Sequence, residues 1–312
     1  ATENSRIYVE YDQCMLLKID ILSRMKLVDD AIEACDSLLE KIPMSHQGLN
    51  NKAVLLEKKG EYKEALKTYR AGLAYSPDNA VLAENVGRLE KVYSLSVCII
   101  VKNVQSTISR CLDSVTAIAD QIVVVDTGST DSTIEIIQKY GISVAKFNWC
   151  DDFSAARNMS LQLASGDWIL CLDADEFLFV EDRKKIFQQK RSKPEFGLEL
   201  MINNNSGNPK VKRQIRMFPN QPNIFYEFPV YESVLAAHKN VGIPVKTLDV
   251  EIQHDNQISM ELSDEKETYH KSLCEKWIVD HEEDWSAIYH FGTVFYAQRD
   301  YANAISYFSK VI

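Results

Sequence analysis

"DWILCLDADE" (167–176) is the stretch whose reading decides the fold. Trp168 to Leu172 is a short unbroken apolar run, the length of a buried strand. It stops at Asp173-Ala174-Asp175-Glu176, three acids with one Ala among them. A buried parallel strand delivers the residues at its carboxyl end into the crevice where ligands bind. Carboxylates at i and i+2 of extended chain lie on one side, so Asp173 and Asp175 can face one ligand. Such hard oxygen donors suit Mn2+ or Mg2+ shared with substrate phosphates. An isolated Asp-x-Asp is more often a solvated loop or helix start, so its meaning depends on what lies upstream.

Upstream, residues 94–177 alternate between two patterns. The apolar runs 95–101, 121–126 and 142–147 read as strands, the first with the character of a central parallel strand. Between them, 106–119, 131–140 and 153–164 read as helices. Ile108, Leu112, Val115 and Ile118 recur at helical spacing, Ser129 to Asp131 offer caps, and Gly141 offers a stop. Asp152 and Ser154 offer a cap for the third helix. With 167–175 as a fourth strand, the alternation predicts a parallel, right-handed α/β half-sheet. Neither GxxxxGK(S/T) nor a GxGxxG after the first strand is present, which excludes a P-loop and a dinucleotide fingerprint.

Self-similarity appears before residue 92. Ala31 and Ala65 are 34 residues apart, as are Pro43 and Pro77. That period, with helix–turn–helix content, is the spacing of tetratricopeptide repeats. The copy at 46–79 is the clearer one, with Ala53, Gly60, Tyr62, Ala65, Tyr69 and Pro77. In the copy at 12–45, Ile19 stands where a small residue is expected. Gly292, Asp300, Tyr301, Ala304 and Phe308 repeat the plan near the C-terminus, and Gly292 to Ala304 matches the 12-residue step from Ala53 to Ala65. Such repeats either only pack or present a concave surface to a polypeptide.

The 312 residues allow two or three domains, at 46% hydrophobic and 26% charged content. The formal net charge of −10 argues against a nucleic-acid or anionic-membrane binder, although a small basic pocket for phosphate remains compatible with it. No run approaches the roughly 18–20 apolar residues of a membrane span. No secretory pattern opens the chain. Seven scattered cysteines without CxxC read as reduced, so a cytoplasmic setting is expected. The chain ends inside an apparent helix, as a truncated piece would.

Four blocks, "SVCIIVKNVQSTISRCLDSV", "IVVVDTGSTDSTIEI", "FNWCDDFSAARNMSL" and "GDWILCLDADE", occur in order over residues 96–176. Together they closely resemble glycosyltransferase family 2, nucleotide-sugar-dependent enzymes of the GT-A fold. The resemblance implies an α/β GT-A (Rossmann-like) core with tetratricopeptide-like helical hairpins at both ends. The expected division is 1–92 helical repeats, 93–258 transferase domain, and 259–312 a C-terminal helical region.

By that resemblance, Val101, Lys102 and Asn103 border the nucleoside, although Val104-Gln105 replace the family's usual acids. Asp126 would accept from the N3–H of uracil or the N–H edge of guanine, which fits UDP or GDP. Gly128 shapes the following loop. Arg157 could pair with phosphate or make a salt bridge to Asp151 or Asp152. Asp173 and Ala174 belong to the donor site, with Asp173 touching ribose or, through water, the metal. Asp175 would be a direct metal ligand, and His254 at the end of "VEIQH" a further one; Asp255 is a weaker candidate. On the acceptor side the family's Arg-Leu-Phe and Val-His-Glu become Arg216-Met217-Phe218 and Val230-Tyr231-Glu232. Glu232 is the expected general base and Glu227 the reserve. Lys210, Lys212 and Arg213 could contact an acidic acceptor or form a solvated hairpin face.

The leading expectation is a metal-dependent inverting transferase moving sugar from a UDP- or GDP-sugar to a protein or peptide held by the repeats. It resembles bacterial enzymes that glycosylate flagellin-like proteins or ribosomal peptides, including at cysteine sulfur. The competing readings are a polysaccharide or lipopolysaccharide sugar transferase with structural repeats, and a non-catalytic scaffold. Oligomerisation is compatible with each.

Overall fold

A computed structural model describes residues 3–90, 92–203, 212–254, 263–281, 284–297 and 299–310. Five helices come first: α1 Glu3–Arg24, α2 Val28–Lys41, α3 His46–Lys59, α4 Tyr62–Tyr75 and α5 Ala80–Glu90. Then follow β1 Leu95–Val101, α6 Ile108–Val115, β2 Gln121–Asp126, α7 Thr133–Lys139, β3 Val144–Lys146, α8 Phe153–Leu163 and β4 Trp168–Asp173. Next are β5 Glu176–Leu178, α9 Val180–Gln189, β6 Gly197–Asn203, β7 Lys212–Pro219, α10 Leu235–Asn240 and β8 Val245–His254. Three helices, α11 Ser263–Asp280, α12 Trp285–Ala297 and α13 Tyr301–Phe308, complete the order. The chain divides into two compact units: Ala1–Tyr93 with Ser114–Ile118 and Phe179–Lys193, and the remainder.

The first unit is helical. Ala31, Ala53 and Ala65, the small residues of the 34-residue pattern, are fully buried. Their size lets paired helices approach closely. Ile19, out of pattern, is also buried, because α2 meets it with Ala31, Ala34 and Cys35. Ser45 caps α3 by accepting from the Gly48 amide at 3.2 Å. The phenol of Tyr69 and the guanidinium of Arg88 converge on Glu57 at 2.7 and 2.6 Å, tying α4 and α5 to α3. Helix α9 belongs to this unit, and its Phe187 stacks on Tyr62 at 3.6 Å between ring centroids.

The second unit holds one eight-stranded sheet in the order β3-β2-β1-β4-β7-β6-β8-β5. The half β3-β2-β1-β4 is wholly parallel, as the alternating sequence predicts. The other half is mixed: β7 runs antiparallel to β4 and β6, β8 parallel to β6, and β5 antiparallel to β8. Gly166, before β4, is where the chain grazes β1. A Cβ there would lie 2.6 Å from the Ser96 amide nitrogen. Asp152 caps α8 by accepting from the Ala155 amide at 3.0 Å.

The C-terminal helices share a core built from Leu273, Ile278, Ile288, Phe291, Phe295 and Tyr307. Helices α12 and α13 form a hairpin so close that a Cβ on Gly292 would meet the Phe308 ring at 2.6 Å. Among the described residues, no helix is long and apolar enough to cross a membrane. All seven cysteines are free.

Candidate active site

Parallel register builds the site's floor. Val101 of β1 pairs with Asp126 of β2, and Ile100 pairs with Asp173 of β4. Both carboxylates therefore leave the sheet at the same edge, the carboxyl edge where open α/β sheets bind ligands.

Asp126 is buried and closes its own turn. Its oxygens accept from the amides of Gly128 at 3.2 Å and Ser129 at 3.0 Å. The Val101 carbonyl accepts from Thr127, through the amide at 3.0 Å and the hydroxyl at 3.1 Å. Asn103, at φ 53°, latches the two loops together: its amide donates to Ser129 Oγ at 3.0 Å, and its Oδ1 accepts from the Thr130 amide at 2.8 Å. Lys102 is exposed, with Nζ 6.0 Å from the Trp149 ring centroid. Residues 101–103 and 126–130 thus form one rim braced by hydrogen bonds at Val101, Asn103, Asp126 and Gly128.

Asp173 sits between two guanidiniums. Arg157 Nη2 donates to Oδ1 at 2.5 Å, and Arg216 Nη2 donates to Oδ2 at 3.1 Å. Both arginines are buried. Burial opposes ionisation of Asp173, but Arg216 and Arg157 outweigh it and hold the carboxyl well below the usual range. Arg157 does not pair with Asp151 or Asp152. Its Nε donates instead to Glu232 Oε1 at 2.5 Å, so one side chain bridges Asp173 and Glu232.

Glu176 had no role in the sequence reading, yet it organises this turn. Its Oε2 accepts from the Asp173 amide at 2.8 Å, and its Oε1 from Arg216 Nη2 at 2.8 Å. Burial pushes this carboxyl up to about 8 against the pull of Arg216. An acid directly after Asp-x-Asp and before the apolar pair Phe177-Leu178 was the available signal. Arg216 was noted only as part of a family match. Its position on β7, beside β4, makes it the second counter-charge to Asp173.

Ala174 is buried in the turn, and Asp175 emerges from it toward β8. Strand β5 pairs Glu176 with His254, 78 positions later in sequence (254 − 176). That register leaves His254 Nε2 3.3 Å from Asp175 Oδ2. Two neighbouring ligands of an ion bound at ~2.1 Å in an octahedral shell stand about 3 Å apart, so this pair fits one divalent cation. Among the described residues no three His, Cys, Asp or Glu side chains cluster to hold an ion alone. The remaining positions would fall to diphosphate and water, the usual arrangement for such cations.

Glu227 and Glu232 stand on one short loop, its base closed by a backbone bridge between Glu227 and Ser233. Glu232 reaches Arg157. Glu227 is partly buried beside Asp284, and burial followed by that negative neighbour pushes its carboxyl up. Arg213 is exposed on β7. Lys210 and Asp255 lie outside the described residues, as does the side chain of Lys212.

The glycosyl transferase family 2 model matches residues 96–236, and a tetratricopeptide repeat model matches residues 46–79. A TPR repeat-containing protein of Synechococcus elongatus is 37% identical over 141 residues, 45% of this chain and 35% of that protein. The SPbeta prophage-derived glycosyltransferase SunS of Bacillus subtilis is 34% identical over 106 residues, 33% of this chain and 25% of that protein. The chain thus covers about a third and a quarter of the lengths of these two curated relatives. A crystal structure of glucosyl-3-phosphoglycerate synthase from Mycobacterium tuberculosis, with Mn2+, UDP-glucose and phosphoglyceric acid, is similar at a TM-score of 0.48. It is 15% identical, over 60% of this chain and 79% of that one. Residues 96–236 of this chain are a glycosyl transferase family 2 domain, preceded at 46–79 by a tetratricopeptide repeat.

Proposed function

We propose that this protein is a metal-dependent, inverting glycosyltransferase that moves a sugar from a UDP- or GDP-sugar to a protein or peptide acceptor. The observation that carries the reading is the Asp175–His254 pair, 3.3 Å apart beside the arginine-neutralised Asp173. Asp175 and His254 would hold Mn2+ or Mg2+, and the nitrogen donor favours Mn2+ over the oxygen-preferring Mg2+. A divalent ion bound there supplies charge neutralisation for the departing nucleoside diphosphate.

The chain's own groups divide the rest of the work. Asp126, through lone pairs its turn leaves unused, would accept from the nucleobase, and the 101–103 rim would border the nucleoside. Arg157 orients Glu232 through Oε1, leaving Oε2 to take the acceptor's proton. The acceptor atom then bonds to the anomeric carbon as that carbon's bond to the diphosphate oxygen breaks. Glu232 is preferred to Glu227 because Arg157 links it to Asp173. The polypeptide acceptor is argued from the helical repeats, whose kind of surface suits extended chains.

A thermal-shift panel tests this reading. UDP or GDP should raise the melting temperature, more with Mn2+ than without, and Asp175→Asn should erase the Mn2+ increment. Equal melting curves with every nucleotide, with and without metal, would sink the proposal.

A further inference from the structure

The loop that carries Glu232 has a strained shape, and the C-terminal helices hold it. Phe228 and Tyr231 have φ of 72° and 56°. Bulky L residues seldom occupy that left-handed region. Two such residues three positions apart persist only when their surroundings over-determine them, and strain of this kind gathers where a site needs one fixed shape.

The surroundings are specific. Glu227 and Ser233 close the loop with reciprocal backbone hydrogen bonds of 3.0 and 3.1 Å. The Pro229 carbonyl accepts from the Phe153 amide at 2.8 Å, at the start of the helix that carries Arg157. Val230 is buried in the core of α11–α13. His290 of α12 touches both strained residues. Its ring stacks on Phe228 with centroids 4.2 Å apart and an 11° interplanar angle. Its Nε2 lies 2.9 Å from the Tyr231 carbonyl. A carbonyl only accepts, so Nε2 carries a proton and donates. His270 of α11 meets the Tyr231 ring edge-on at 5.5 Å. The next residue along the chain is Glu232, whose Oε1 accepts from Arg157.

We propose that His290 is a positioning residue for the transfer step. By pinning the Tyr231 carbonyl and stacking on Phe228, it fixes the 231–232 peptide and so aims the Glu232 carboxylate. The inference rests on reading Glu232 as the base. Where the family resemblance leads one to expect a His beside that Glu, this chain has Tyr231 and supplies an imidazole to its backbone from a helix 59 residues later. A base acts only within about 2.6–3.2 Å of its proton, and a shift of about 1 Å can cost about 100-fold. The C-terminal helices thereby form part of the acceptor side of the site.

Three variants of the full chain separate the possibilities. His290→Phe keeps the ring stack and loses the donor. His290→Gln keeps a donor and loses the stack. His290→Ala loses both. Two readouts are taken: hydrogen exchange of the 227–233 amides, and nucleotide release from UDP-glucose, UDP-GlcNAc and GDP-mannose with Mn2+. His290→Phe should speed exchange at Glu227 and Ser233 and lower kcat about 10- to 100-fold. Its donor KM should stay within about 2-fold, as expected for a loss confined to the transition state. His290→Gln should recover most of both. Unchanged exchange and kcat in His290→Phe would overturn the proposal, as would equal losses in Phe and Gln with a raised KM, which mark simple packing. Should His290→Ala fail to fold, the other two decide. Glu232→Gln is run alongside. If it still turns over, the base assignment fails, while the exchange data alone decide whether His290 holds the loop.

Discussion

The two halves of the central sheet put different chemistry into the crevice. The parallel half, β3-β2-β1-β4, contributes Asp126 and Asp173 from strand ends that are aligned by register. The mixed half, β7-β6-β8-β5, contributes Arg216 and His254, a cation and an imidazole. Asp173 and Asp175 show the result. They are two residues apart, yet one faces two guanidiniums and the other a histidine. A single acidic motif is thus split into an arginine-anchored carboxylate and a histidine-facing one, and the partner strand decides which is which.

The sharpest way to break that comparison is to exchange the two carboxylates' fates. Asp175→Asn should lower Mn2+-dependent nucleotide release about 100- to 1,000-fold, the scale of losing a main electrostatic stabiliser, while metal-free UDP binding stays unchanged. Asp173→Asn should instead lower the melting temperature and leave some Mn2+ response. The reverse pattern in the two variants would invert the assignment.

Arg216→Met attacks the mixed half. It leaves buried Glu176 and partly exposed Asp173 with one fewer counter-charge, and the uncompensated burial of Glu176 should cost about 3–5 kcal/mol by chemical denaturation. Adding Glu176→Gln should recover part of that loss, and non-additivity between the two changes is the signature of a shared network. Strict additivity would show that the network is not coupled.

Gly166→Ala probes the parallel half at its tightest crossing. The new methyl must displace the Ser96 backbone, so a loss of about 1–3 kcal/mol is expected, with nucleotide affinity per folded molecule unaltered.

The smallest effect belongs to the strand-start latch in the same half. Asp167 Oδ2 accepts from the Ser94 amide at 2.8 Å and the Ser94 hydroxyl at 2.6 Å. Asp167→Ala should cost about 1 kcal/mol. The Ser94 hydrogen bonds lower the Asp167 carboxyl below its usual range. A depressed folded value means the stabilisation is present above the unfolded Asp range, about 3.9, and is lost as pH falls through and below it. Acid titration of stability should therefore be shallower in the variant than in the parent.

The legibility of these regions in sequence follows from the same asymmetry. Strands β1 and β2 fall on their predicted runs, because continuous apolar residues and turn signals are local. The cap at Asp152 and the turn at Gly141, φ 73°, are local too. Helix α6 is shorter than its apolar spacing, ending at Val115 although Ile118 is buried, because burial continues past the last helical residue. For Arg157, by contrast, nearby Asp151 and Asp152 were the partners that sequence offered. Asp173 and Glu232 are 16 and 75 positions away, and sheet order brings them to it. The antiparallel insertion of β7 against β4 has no comparable local signature, so Arg216 and Glu176 went unassigned.

By itself the sequence determined the alternating strands and helices, the 34-residue helical repeat, and the carboxylates at the strand ends, since period and turn chemistry act between near neighbours. Only the tertiary structure decided which carboxylate is neutralised, which faces His254, and which helix braces the Glu232 loop. The first two outcomes depend on strand order and register between segments far apart in the chain, where a one-residue slip would turn a strand's side chains to the opposite face, and the third depends on packing of a distant helix against the loop.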